Sequence, residues 1–225
     1  MTLDLATNAF REGYRLGRLH EGGADTVALL AALQDLEAGA RPFAFEGAAM
    51  ACEMRDARDG RARARDLAAR VGVEWRTFLL LGVGCARARL GWPAPEDPIA
   101  LDGFGFQVGL RDGVSGVTTL ALDPLAERGR GRALWFVTGG DGPACAAAIA
   151  RAAGDAGALW RGVGTACAFA GDPRAQAARL PGLAVDLSEE LRLGVRQGIE
   201  LWLALGCGVP ARAATVGQAV LEGDS

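Results

Sequence analysis

Lysine is missing altogether: all 24 basic side chains are arginine, set against 27 acids for a net charge of −3. No field of one sign is available to draw in a polyanion, which argues against sequence-independent nucleic-acid binding. Histidine is nearly missing too, since His20 is the only one. With one histidine and no two cysteines at metal-ligand spacing, a zinc-type site is not expected. A serine or cysteine hydrolase is disfavoured on the same ground, because its usual base is histidine and no G-x-S-x-G elbow occurs. The residues therefore call for neither a metal nor a cofactor.

Long apolar runs are absent as well. No stretch approaches the roughly eighteen apolar residues of a membrane helix, and no basic segment leads into an apolar core near Met1. The five cysteines, Cys52, Cys85, Cys145, Cys167 and Cys207, are widely spaced and odd in number. They read as small buried hydrophobes in a reducing compartment, so a soluble, cytoplasmic protein without a membrane partner is the expectation. The densest basic run, RARARD over 61–66, alternates with alanine and reads as a solvated helix face.

What the chain has instead is glycine, 33 residues of it, inside apolar runs rather than in linkers. Apolar residues recur at helical spacing through most of the length, and glycine and proline punctuate them. Leu5, Phe10, Tyr14 and Leu16 mark an amphipathic first helix that stops at Gly22 and Gly23. Asp25 is placed to cap the second helix, Pro42 to start the third, and 73–90 is the most apolar helix of the first half. A helix over 98–111 and a connector over 112–123 follow. Helices then run from Pro124 to Thr138, from Asp141 to Ala153 and over 155–170. A turn at Asp172 and Pro173 leads to a short helix ending at Leu180, and Pro181-Gly182 interrupts the chain. Asp186 and Glu189 have capping-box spacing ahead of a long helix through Trp202, and Pro210 can open the last one.

Gly13, Gly47 and Gly82 are followed at separations of 116, 115 and 116 residues by Gly129, Gly162 and Gly198. Neighbouring text matches as well, for example GAAMACEMRD against GVGTACAFAGD. The expected fold is all-α: a single helical-hairpin domain over 1–225 with two pseudo-twofold related repeats, about 1–112 and 113–225. Six anchor glycines inside helices, each costing about 0.5–1 kcal/mol against alanine, need a geometric reason. Either helices cross closely there, or exposed backbone lines a cavity for a flat apolar ligand. Gly82-Val83-Gly84 and Gly103-Phe104-Gly105 look like pieces of a dinucleotide fingerprint, but neither completes one in a βαβ unit.

Carboxylates are what remains for acid/base work. Glu46 lies in an apolar run and Asp102 precedes the glycine-phenylalanine repeat, and a desolvated carboxyl there could move a proton. For Asp102 the first reading is a cap for its glycine-rich helix. Trp135, Phe136 and Trp160 pack a core or stack on a conjugated ligand. Glu12 and Glu46 of the first repeat correspond to Arg128 and Arg161 of the second; they are either exposed or paired across the repeats.

FAFEGAAMA (43–51), GVGCARARL (82–90), LDGFGFQVG (101–109), GRGRALWFV (129–137), LWRGVGTACAFAG (159–171) and VRQGIELW (195–202) occur in an order that resembles an uncharacterised family encoded in actinobacterial gene clusters for enediyne polyketide antibiotics. The resemblance covers most of residues 10–220. Members of that family are longer, and their run commonly ends in histidine where this chain has Gln107. The resemblance implies an accessory protein of enediyne or related polyketide biosynthesis that binds or converts a conjugated apolar intermediate. Glu46 or Asp102 would serve proton transfer without a cofactor, Arg132 or Arg161 would hold a polar end, and Gln107, Trp135 and Trp160 would complete the binding site. The alternative is a non-catalytic scaffold, chaperone or self-resistance binding protein of the same pathway. Expected partners are the hydrophobic intermediate, a biosynthetic partner protein, or a second copy in a homodimer.

Overall fold

The computed structural model describes residues 3–117, 119, 121–170, 179–206 and 208–221. These residues form twelve α-helices and no strand, so the chain is all-α, and among them no helix is long and apolar enough to cross a membrane. Contacts divide the chain into two compact units, one of Asp4–Phe104 and one of Gly105 onward together with Leu3, so that one division falls inside a helix.

The first unit holds α1 (Leu3–Leu19), α2 (Thr26–Gln34), α3 (Arg41–Asp59), α4 (Arg63–Arg70), α5 (Arg76–Leu90) and the start of α6 (Pro98–Gly116). Pro42 lies in the first turn of α3, as its fixed φ suits, and Gly60 and Gly91 end α3 and α5 in the left-handed region. Helix α1 buries Ala6, Ala9, Gly13 and Gly17 and leaves Leu5 54% exposed. Its small face is buried while Phe10, Tyr14 and Leu16 are half-buried, because α1 and α3 approach backbone to backbone. A Cβ on Gly13 would overlap the Ala44 carbonyl oxygen, and one on Gly47 would overlap that of Phe10. The core also holds Phe45 stacked on Trp75, ring centroids 4.8 Å apart.

The second unit holds the rest of α6, then α7 (Pro124–Val137), α8 (Gly142–Ile149), α9 (Ala156–Ala170), α10 (Leu180–Ala184), α11 (Ser188–Ala204) and α12 (Ala211–Leu221). Helices α7, α9 and α11 pack in one sense of direction: residues near the start of each meet residues near the start of the next. Gly131 abuts Leu159 O, Gly162 abuts Arg128 O, Gly164 abuts Leu191 O and Gly194 abuts Arg161 O. Such contacts bring Cα–H groups against carbonyls, a weak but recurrent attraction at close helix crossings. Leu134, Trp135, Ile149, Leu159, Trp160, Val163, Leu191 and Val195 are the heart of this unit's apolar core.

One rule accounts for the glycine-x-glycine triplets. At about 100° per residue, two glycines two positions apart face nearly opposite sides of a helix. Gly82 meets α3 and Gly84 meets α6; Gly162 meets α7 and Gly164 meets α11. Likewise Gly103 meets Leu81 within the first unit and Gly105 meets Ala126 within the second. The triplets at 82–84 and 162–164 therefore mark helices with a close neighbour on each side within their own unit. The partner of α9 on α7 is Gly131 where Gly129 was the anchor read from the sequence, and the glycine of α11 over Arg161 O is Gly194 rather than Gly198. Of the sequence anchors, Gly47 and Gly162 make corresponding contacts, over Phe10 O and Arg128 O, whereas Gly13 and Gly82 find their counterparts at Gly131 and Gly194.

Several local expectations give way to tertiary contacts. Asp25 precedes α2 but makes no side-chain cap; its Oδ2 accepts from Glu21 N at 2.9 Å and lies 3.2 Å from His20 Nδ1. Pro181 and Gly182 lie inside α10, and α11 starts at Ser188 after a 3-10 turn, with no capping box from Asp186. The turn at Asp172 and Pro173 lies outside the described residues. In RARARD the middle arginine is not solvated: Arg63 is 1% exposed and its guanidinium bonds Asp56 at 2.9 Å and Asp59 at 2.6 Å. The Arg63 guanidinium holds the Asp59 carboxyl well below the usual range.

Helix α6 is broken at Gly113, whose φ of 64° and ψ of −159° belong to a region open essentially to glycine alone. Nothing lies within 4 Å of the position its Cβ would take. Gly113→Ala should thus lower stability by about 1–3 kcal/mol through backbone strain alone, read as a shift in the urea midpoint with an unchanged slope.

Candidate functional site

Three helix starts converge in the second unit. Asp123 Oδ1 accepts from Leu125 N at 2.9 Å and caps α7, with Pro124 in its first turn. Asp155 Oδ1 accepts from Ala158 N at 3.0 Å and caps α9. Glu189 and Glu190 occupy the first turn of α11. Unpaired amides and aligned peptide dipoles make each of these ends favourable for negative charge, which is why acids collect there.

Between them lies a cleft of about 190 Å³ lined by Pro124, Leu125, Arg128, Asp155, Gly157, Ala158, Arg161 and Glu190. Arg128 and Arg161 each come from the turn after a capping aspartate. Arg161 Nε donates to Glu190 Oε2 at 2.8 Å, and Nη2 donates to the same oxygen. Both side chains are about one-third exposed, so the pair sits at the cleft mouth rather than in the core. Apolar atoms of Pro124, Leu125 and Ala158 stand beside the charges. The arrangement can hold a small charged group against arginine with an apolar stem running outward.

Next to the cleft, Glu127 of α7 faces inward and is fully buried. Its Oε1 accepts from Arg130 Nη1 at 2.9 Å and from Leu122 N at 2.7 Å, and Arg130 Nη2 also donates to Gly116 O. Burial raises the Glu127 carboxyl above its usual range, with the Leu122 amide and Arg130 pulling it back. The pair fastens the connector between α6 and α7 to α7.

Of the residues singled out in the sequence for a functional role, Arg128 and Arg161 line this cleft. Glu46 and Asp102 belong to the first unit and are buried, 5% and 2% exposed. Cys85 Sγ lies 3.7 Å from Glu46 Oε1 and 3.2 Å from Gly103 O, and the one S–H is shared between these acceptors. Asp102 does not cap α6: Asp97 does, accepting from Ile99 N and Ala100 N at 2.9 Å each. Gln107 is buried in the second unit's part of α6. The Arg132 guanidinium lies over the Phe106 ring at 4.8 Å, and Phe106 meets Phe136 edge-on at 5.6 Å. Trp135 and Trp160 are 1% and 3% exposed within the apolar core, the packing role of the two read for them.

Glu46 and Arg161 do hold matching backbone places, since their carbonyls receive Gly82 of α5 and Gly194 of α11. Their side chains differ: Glu46 meets Cys85, whereas Arg161 meets Glu190. Glu12 bonds Arg15 of its own helix, Arg15 Nε donating at 2.8 Å. Asp155 and Glu190 were missed by sequence reasoning. The available signal was the recurrence of an aspartate ahead of an arginine in DPLAER and DAGALWR; no local pattern names Glu190.

The four described cysteines are buried thiols. Burial pushes Cys52 up to about 12 and Cys145 up to about 11, which leaves them unreactive near neutrality. Among the described residues no group of three or more histidine, cysteine, aspartate or glutamate side chains could hold a metal ion.

No curated protein and no solved structure matches the chain. A family model described as a protein of unknown function (DUF1702) matches residues 1–203. With the match extending over nine-tenths of its length, the chain belongs to the DUF1702 family.

Proposed function

We propose that this DUF1702 protein is an accessory protein of enediyne or related polyketide biosynthesis that binds a conjugated apolar intermediate by its polar end. The observation that carries the reading is the cleft in which Arg161 stands beside Pro124, Leu125 and Ala158. Ligand pockets for drug-sized molecules occupy about 300–1,000 Å³, so a 190 Å³ cleft suits one end of an elongated ligand rather than the whole of it. The sequence resemblance to enediyne-cluster proteins supplies the ligand class, and the cleft's mixture of arginine and apolar surface fits an acid-ended or oxygen-ended polyene.

A conjugated polyene acid such as cis-parinaric acid reports binding by its fluorescence. Arg161→Ala should weaken that binding about tenfold or more, as expected for loss of a charged hydrogen bond worth about 1.5–3 kcal/mol. Equal affinity of the wild type and the variant would remove Arg161 from the site. The mass of the recovered probe separates the two forms of the hypothesis: an unchanged mass fits a binder, and a changed mass fits an enzyme.

A further inference from the structure

Resting on that reading, we infer that the cleft is a receptor for a single carboxylate, and that Glu190 is an internal competitor which the ligand's carboxylate replaces on Arg161. Both Arg161 donors, Nε and Nη2, converge on one oxygen of Glu190, so the guanidinium already holds the group it would recognise.

The two cleft acids differ in their freedom to leave. Asp155 is tied down as the cap of α9 through Ala158 N. Glu190 has no such duty. It stands in the first turn of α11 with its side chain about one-third exposed, where the dipole of α11 favours its charge in any rotamer that faces water. Its stem lies beside Gly157, with Glu190 Cγ 3.4 Å from the position a Cβ would take there, an ordinary van der Waals distance.

Charge sets the class of ligand. Two arginines, Arg128 and Arg161, and two acids, Asp155 and Glu190, line the cleft. A monocarboxylate that takes the place of Glu190 exchanges like for like and preserves that balance. A phosphate dianion would bring a second negative charge against the immobile Asp155, and an ammonium group would add a third cation beside two arginines.

The test measures binding of cis-parinaric acid and of its alcohol to the wild type, Glu190→Gln and Arg161→Gln, with thermal unfolding of each variant to confirm folding. Removing the competitor should raise affinity for the acid about fivefold, the scale of a partly exposed ion pair, and leave the alcohol unchanged. Arg161→Gln should lower affinity for the acid only. Equal responses of acid and alcohol to Glu190→Gln, or no response of the acid, would overturn the exchange while the polyene-binding reading stands. Butyrate separates the remaining case. If it perturbs the Arg161 side-chain resonance more strongly in Glu190→Gln than in wild type and neither polyene binds, the carboxylate receptor holds and the polyene reading fails. If butyrate too has no effect, both fall.

Discussion

Gly131→Ala is expected to lower stability by about 3 kcal/mol, at the upper end of overpacking costs. The new Cβ would overlap the Leu159 carbonyl oxygen and crowd the Leu159 Cα. Ordinary overpacking is relieved when a side chain changes rotamer. Here both parties are backbone, so α7 and α9 must move apart. That movement also opens Gly162 against Arg128 O, the reciprocal contact of the same crossing. Alanine's better helix propensity returns only about 1 kcal/mol. For a chain of this size a loss of about 3 kcal/mol moves the thermal midpoint down by roughly 6–12 °C. Gly182→Ala is the control, because nothing lies within 4 Å of its Cβ position and its φ is not left-handed; inside α10 it should raise stability by up to about 1 kcal/mol through helix propensity. Equal effects at 131 and 182 would disprove the close crossing.

Arg130→Leu should cost about 3–5 kcal/mol at pH 7, because it strands a buried carboxylate. Glu127 and Arg130 are 0% and 1% exposed, so water cannot replace the lost partner. The sign of the pH dependence follows from Glu127, whose folded pKa is raised, chiefly by burial. Between its unfolded value of about 4.3 and that raised value the native state holds the proton more tightly, so this group's contribution to stability falls as pH rises through the interval. Without Arg130 the folded value climbs further, and the deficit of the variant should shrink as pH is lowered from 7 toward 5. Adding Glu127→Leu to Arg130→Leu removes the stranded charge and should recover most of the loss. Urea unfolding of the three variants across that pH range checks both the size and the slope. A deficit independent of pH would mean that the arginine acts through its bond to Gly116 O and its packing rather than through the carboxylate.

The candidate site was half visible beforehand. Arg161 stood out because it replaces the glutamate of the first repeat, and the aspartates ahead of α7 and α9 follow the usual chemistry of helix starts. Glu190 could not be found, since nothing within a helical turn of it refers to Arg161, and their meeting depends on how α9 and α11 are aligned. Asp102 illustrates the opposite error: an aspartate near a glycine-rich helix start resembles a cap, yet Asp97 occupies that place and Asp102 is buried inside the helix.

From its residues alone the chain is all-α, with most helix starts and stops where glycine, proline and aspartate put them, because these preferences act within about four residues along the backbone. Only the tertiary structure decided that α1 buries its alanines and glycines while Leu5 faces water, that Arg63 is buried, and that Gly131 meets α9. It likewise decided which acid answers which arginine. Those outcomes depend on the register between helices some thirty residues apart, where one position along a helix rotates a side chain by about 100° and exchanges one partner for another.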